Sequence, residues 1–296
     1  MNRMLKNILR KEHNTKKGES TAAFIFMGLS IIGMSVFFLI PFVDTFRRSF
    51  FDARGKTFIG LRGYVSVFGN EAFKLASMNT IKFISICIPL LMLVSLVISL
   101  LIRSIRPHGR FLKTTYLLPI AIPVAGIVIL WQVLFNQRGI INGILTSVGI
   151  ESIDFISSSA AFWVLIFTYL WKNSGYNMVL WLTGLDGIPI TLYETAKVDG
   201  VNAWQSFWHI TLPDLLPTVG LVFLLSLLNG FKVFREAYLV AGNYPHDSIY
   251  LLQHLFNNWF LNLDISRLCV VAVILCIVLL SIILLMQRFL WKVDRT

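Results

Sequence analysis

IKFISICIPLLMLVSLVISLLI, residues 81–102, carries one charge, Lys82 near its start, and one proline, Pro89. A helix crossing a bilayer needs about 20 mostly apolar residues, and a lysine near a helix end can reach the interface along its apolar stem. Five further runs read the same way. They are 22–43 (AAFIFMGLSIIGMSVFFLIPFV), 115–135 with Pro119 and Pro123, 160–183 interrupted by Lys172 and Asn173, 214–233 starting near Pro213 and Pro217, and 268–290. Prolines inside spans are tolerable where neighbours satisfy the freed carbonyls, and each is read as a kink. The run 22–43 exceeds the apolar core of a signal peptide, so the sequence predicts a retained first span. The fold expected is all-α integral membrane, with about six transmembrane helices. A basic tail, 1–21, precedes a single transmembrane domain, 22–296.

Composition agrees. Hydrophobic residues make up 56% of the chain and charged residues 14%, against about 25% charged in a soluble domain. That excludes a soluble globule, which would lack polar surface. The 24 Phe and 8 Trp exclude disorder. The net charge is +11, but the Lys and Arg flank the apolar runs and form no stripe, so a bilayer is expected as partner and nucleic acid is not. Cys87, Cys269 and Cys276 lie in apolar runs and match no zinc or redox spacing; they read as small buried hydrophobes.

An even span count puts both termini on one side. With the basic tail inside, basic residues are about twice as dense in the inside segments as in the outside loops. Arg103, Arg106, Arg110 and Lys113 support this orientation most strongly. Loop 44–80, with Arg47, Arg48, Arg54, Lys56, Arg62 and Lys74, runs against it.

Several chemistries have no sequence support. There is no G-x-x-x-x-G-K-[ST] loop, no H-E-x-x-H and no G-x-S-x-G, so a nucleotide, metal or hydrolase site is not expected in this chain, and neither is enzyme activity. The histidines His13, His108, His209, His246 and His254 all fall outside the expected spans. Lys172 is the one clear mid-span charge, and no carboxylate accompanies it in an expected span. Two readings of Lys172 are open: it lines a polar cavity, or it marks where the fourth span meets water.

Residues 184–217, GLDGIPITLYETAKVDGVNAWQSFWHITLPDLLP, differ from the rest. One short helix is expected from Glu194, ended by Asp199-Gly200 with Gly200 at the C-cap. A second is expected from Asn202, a good N-cap, to Leu212-Pro213, because a proline disfavours helix at the residue before it. Trp204, Phe207 and Trp208 fall on one face. With a single Lys and no Arg against Glu194 and Asp199, this loop suits a docked protein better than an anionic leaflet.

The segment resembles the EAA motif of ABC transporter permeases of the binding-protein-dependent type. The matching positions are Glu194, Ala196, Asp199, Gly200, Ile210, Leu212 and Pro213; Thr195 and Val201 stand where alanine is usual. Gly184, Leu185, Ile188 and Pro189 upstream, FREAY at 234–238 and GNYP at 242–245 look most like the carbohydrate-importer, maltose-transporter-like branch. The resemblance implies that 184–213 is a cytoplasmic coupling loop between spans 4 and 5, with Glu194 engaging an ATPase and Gly200 setting the bend. It further implies two ATPase subunits carrying the ATP and Mg2+, a second permease (homologous, most simply a heterodimer) and an extracytoplasmic binding protein, in a bacterial plasma membrane. Cofactors in this chain itself are not expected. Candidates for the solute pathway are Trp171, Asn173, Tyr176 and Asn177 in the fourth span and Asn229 with Phe231 in the fifth; each amide reads equally as an interhelical hydrogen-bonding group. An ion-coupled secondary carrier and a membrane-embedded transferase are the alternatives. The scarcity of intramembrane carboxylates argues against the first, and the lack of a paired catalytic constellation at Asp44, Asp186 and Asp214 against the second.

Overall fold

The computed structural model describes residues 27–105 and 109–293. The tail 1–21, the first residues of the run 22–43 and Arg106 in the basic cluster lie outside the described residues. Among the described residues every regular element is a helix, apart from an isolated antiparallel bridge between Phe51 and Phe58. The helices are α1 (Met27–Arg48), α2 (Arg62–Phe68), α3 (Glu71–Ser104), α4 (Gly109–Ala121), α5 (Val124–Phe135), α6 (Ile140–Ser147), α7 (Ala160–Gly187), α8 (Ile190–Val198), α9 (Ala203–Ser206), α10 (Leu216–Gly230), α11 (Phe234–Ala241), α12 (Leu252–Leu261) and α13 (Ile265–Val293). Among the described residues, five stretches are long and apolar enough to cross a membrane: Met27–Arg48, Glu71–Ser104, Val124–Ser147, Leu216–Ala241 and Ile265–Arg288.

Three expected spans differ. The run 115–135 is two helices, because Pro123 takes an extended conformation (φ −58°, ψ 150°) and opens α5 as its N-cap. The run 160–183 forms α7 in full, 28 residues, but Lys172, Asn173, Ser174 and Asn177 leave it too polar for the apolar set. The fifth run continues past 233: after one tight turn, Phe231–Val233, the helix resumes as α11 and ends only at Gly242, whose φ is +75°.

The chain divides into two compact units. Among the described residues, the first holds 27–67 and 265–275. Here two basic residues in the last turn of α1 are partly neutralised: Asp44 accepts from Arg47 at 3.0 Å and from Arg48 at 2.6 Å. Asp52 accepts the backbone N–H groups of Lys56 at 2.8 Å and Thr57 at 3.2 Å, and those bonds hold its carboxyl below the usual carboxylate range. The Asp52 bonds close the turn after α1.

The second unit, 68–264 with 276–293, is organised around α7. It packs along α3, α4 and α10. Phe83, Cys87 and Leu91 of α3 and Ile127, Trp131 and Phe135 of α5 close over its first half, from Ala161 to Tyr169. Its second half, Trp181 and Leu185, joins Ile188, Leu215 and Val222 in another buried cluster. Trp181 Nε1 donates to Ser95 Oγ at 3.0 Å, so the buried indole is satisfied. Glycine permits the closest approach: a Cβ at Gly175 would fall on the Tyr116 carbonyl, and one at Gly184 on the Thr218 side chain.

α12 docks on α3 by hydrogen bonds. The Leu252 amide donates to Thr80 Oγ1 at 3.0 Å, and Asn79 Nδ2 donates to the Tyr250 carbonyl at 3.1 Å and to that of Asp247. His254 is fully buried, its Nδ1 accepts the Leu251 amide at 3.1 Å, and Phe234 and Tyr250 sandwich its ring. An accepting Nδ1 requires neutral imidazole, and burial pushes its pKa down to about 4 from the ordinary 6.5.

Two outcomes are expected. Gly175→Val overpacks the α4–α7 contact and lowers stability by about 1–3 kcal/mol, read as a lowered Tm in detergent; Gly143→Ala, with open space around it, leaves Tm within error. For His254 the unfolded chain binds the extra proton, so its contribution is fully present above about pH 6.5 and is lost as pH falls towards 4. Melts between pH 7 and 4.5 show the fall for the wild type and a shallower one for His254→Gln.

Candidate functional site

Residues 190–214 form two short helices joined by a glycine turn. α8 starts at Ile190, a full turn before Glu194, because Pro189 (φ −59°, ψ 130°) suits the position just before a helix. It ends at Asp199-Gly200, with Asp199 and not Gly200 as the C-cap. The Val201 amide donates to the Ala196 carbonyl at 2.9 Å and the Gly200 amide to that of Lys197 at 3.2 Å, while Gly200 takes φ +77°. This is a Schellman termination with Asp199 as C-cap. Asn202 then opens α9: its Oδ1 accepts from the Gln205 amide at 2.9 Å, and Gln205 Oε1 accepts from the Asn202 amide at 3.0 Å.

The second helix does not stop at Leu212-Pro213. A wide π turn, Phe207–Thr211, passes into Leu212–Asp214 and on to α10. Leu212 stays helical (φ −67°, ψ −43°) although a proline follows; its amide donates to Phe207 in the wide turn, and Pro213 lies at a helix start, where no N–H is needed.

Ala196 is buried, and Ile210 and Tyr193 pack on the Trp181–Leu185–Leu215 cluster. Tyr193 Oη and Thr211 Oγ1 share a hydrogen bond at 2.9 Å, and the Arg103 guanidinium of α3 lies 5.3 Å from the Tyr193 ring centre. One face is therefore tied to the ends of α3, α7 and α10. The other is open: Glu194, Thr195 and Asp199 are exposed, as are Ile190, Leu192, Val198, Trp204 and Trp208. Trp204 stacks on Phe207 at 6.2 Å, and Trp208 meets both edge-on at 5.6 Å. The arrangement presents a carboxylate among apolar side chains on a rigid support.

A cavity of about 190 Å3 lies between α7 and the α10–α11 run, lined by Tyr169, Lys172, Asn173, Asn229, Lys232, Arg235 and Glu236 among others. Lys172 Nζ donates to Glu236 Oε1 at 2.5 Å, with the two side chains 18% and 8% exposed. Of the pathway candidates, Asn173 and Asn229 line this cavity. Asn173 donates to the Tyr169 carbonyl at 2.9 Å, and Asn229 Oδ1 accepts from Lys232 at 2.9 Å. Asn177 is buried and donates to Ser226 Oγ at 2.7 Å, an interhelical bond. Trp171 packs on the core, Tyr176 is half-buried away from the cavity lining, and Phe231 lines a separate gap with Phe83 and Leu252.

Lys172 thus lines a polar cavity, and the expectation that no carboxylate accompanies it is corrected. Glu236 lay beyond the expected end of the fifth span and was read as loop. Its signal was the spacing of Val233, Glu236 and Ala237, which places them on one buried helix face. Breaking a buried pair strands a charge and costs about 3–5 kcal/mol. Lys172→Met is expected to lower Tm sharply in thermal melts, and Lys172→Met with Glu236→Leu to recover most of the loss. Equal losses in single and double variants would mean that the pair is not coupled.

The fold and the cavity define a multi-pass membrane protein. Residues 70–291 match the family "Binding-protein-dependent transport system inner membrane component". The chain belongs to this family and is a permease of the ABC-transporter type. It is 28% identical to the osmoprotective compounds uptake permease GgtC of Synechocystis sp., covering 72% of this chain and 79% of that one. It is 29% identical to the lactose transport permease LacF of Rhizobium radiobacter (73% and 74%) and 29% identical to the trehalose/maltose transport permease MalF of Thermococcus litoralis (71% and 73%). A solved bacterial ABC transporter that imports the acidic polysaccharide alginate has a chain of the same fold, with TM-score 0.79 and 21% identity over 92% of this chain and 96% of that one.

Proposed function

We propose that this chain is the membrane subunit of a bacterial plasma-membrane importer for a sugar or oligosaccharide. The observation that carries the reading is the open face of the α8–α9 pair. It combines seven positions of the EAA pattern with a rigid glycine turn and exposed apolar side chains, on a chain with no nucleotide motif of its own. Lactose and trehalose/maltose permeases among the relatives, and a solved alginate transporter in complex with a pentasaccharide-bound periplasmic protein, support a saccharide delivered by a binding protein.

In this reading six helices cross the bilayer, α7 among them, with both termini and the 184–213 loop in the cytoplasm. Two ATPase subunits hold ATP and Mg2+. Glu194 engages the ATPase, and Ala196, Asp199, Gly200, Ile210, Leu212 and Pro213 keep the helix pair stiff, so that ATPase closure moves it as a body. A second permease completes the pathway. Asn173 and Asn229 face the solute, and alternating access follows from the different affinities of nucleotide and solute for the inward- and outward-open states.

Co-purification from membranes tests this. Wild type brings down an ATPase with solute-stimulated turnover. Glu194→Ala lowers that turnover by about tenfold or more, and Gly200→Val, forced into φ +77°, weakens assembly. Wild-type protein that brings down no ATPase, with uptake following an ion gradient, overturns the proposal.

A further inference from the structure

The cavity beside α7 has a one-sided charge. Its lining holds three cations, Lys172, Lys232 and Arg235, against one carboxylate, Glu236. The carboxylate is paired with Lys172: Oε1 takes its ammonium at 2.5 Å, and Oε2 is buried without a hydrogen-bond partner. Lys232 donates only to the neutral Asn229 Oδ1, at 2.9 Å. Among the described residues neither Lys232 nor Arg235 meets a carboxylate. Both are exposed, so their charged heads are available from the cavity. Donors dominate the rest of the accessible lining, since an ammonium and a guanidinium only donate. A neutral polyol, which needs acceptors as well as donors, leaves two cations unbalanced there. A bound oxyanion takes charge-assisted bonds from both, roughly twice as strong as neutral ones.

We propose that the solute carries a negative charge, a carboxylate-bearing (uronic-acid-type) saccharide, and that Lys232 and Arg235 select for that charge while the Lys172–Glu236 pair holds the wall from which they act. The proposal rests on the saccharide-importer reading above. At about 190 Å3 the cavity is below the roughly 300–1,000 Å3 of a drug-sized pocket, so it admits one end of a chain.

The assay uses the permease assembled with its partner subunits in neutral-lipid nanodiscs, without binding protein, so that selectivity comes from the membrane cavity. Radiolabelled trigalacturonate and its carboxyl-reduced neutral counterpart are compared by equilibrium dialysis. The charged trimer is expected to bind about tenfold or more tightly, and Lys232→Gln with Arg235→Gln to erase the difference between the two trimers. Equal binding of the two trimers in wild type, or a preference that survives both substitutions, overturns the proposal and leaves the saccharide reading standing. Binding of neither trimer overturns the saccharide reading as well. Loss of the charge preference on adding phosphatidylglycerol to the nanodiscs assigns the two cations to a lipid headgroup and also overturns the proposal.

Discussion

A polar group buried in an apolar helix costs several kcal/mol if left unpaired; a short hydroxyl can turn back to a carbonyl of its own helix, as Thr168 does to Val164, but a long side chain reaches across to another helix. α7 carries four long side chains of the second kind, each with a partner on a neighbouring helix. Tyr169 donates to the Ser226 carbonyl at 3.0 Å, Asn177 to Ser226 Oγ, Lys172 to Glu236, and Trp181 to Ser95. Three of these bonds run to the α10–α11 segment and one to α3. The orientation of α7 about its axis is therefore set by directional bonds, and apolar packing, which has no direction of its own, fills in around them.

The same bonds explain why α7 is central though it is the least apolar of the long helices. Placing glycine at 175 and 184 lets α4 and α10 approach its backbone closely. The cavity forms where the pairing is left incomplete, between Asn173, Asn229 and the exposed cations. Cavity wall and scaffold share one helix, so substitutions on the cavity face of α7 will alter the cavity and the helix packing together.

Local chemistry was readable wherever the deciding atoms are close in sequence. The Gly200 turn and the Asn202 cap involve residues within five positions of one another, and side-chain identity alone points to them. Glu236 was not readable as a partner of Lys172, because their pairing spans 64 positions and depends on a helix resuming after a tight turn at Phe231–Val233. The break at Pro123 and the passage through Leu212-Pro213 show one residue type doing opposite things. Proline opens a helix where its neighbour is extended, and is absorbed where a wide turn precedes it. Hydropathy counts do not distinguish those cases. Asn177 and Asn173, alike in composition and four residues apart, part ways because Ser226 stands opposite the first and open space opposite the second.

The open face of the α8–α9 pair has a consequence before any transport takes place. Ile190, Val198 and Trp204 are each more than two-thirds exposed, beyond the stretches that lipid can cover. A newly inserted subunit left without a companion offers water an adhesive patch of the kind that draws aggregation and proteolysis. If a partner covers that patch, as proposed above, making the chain in step with it keeps the unassembled subunit from accumulating.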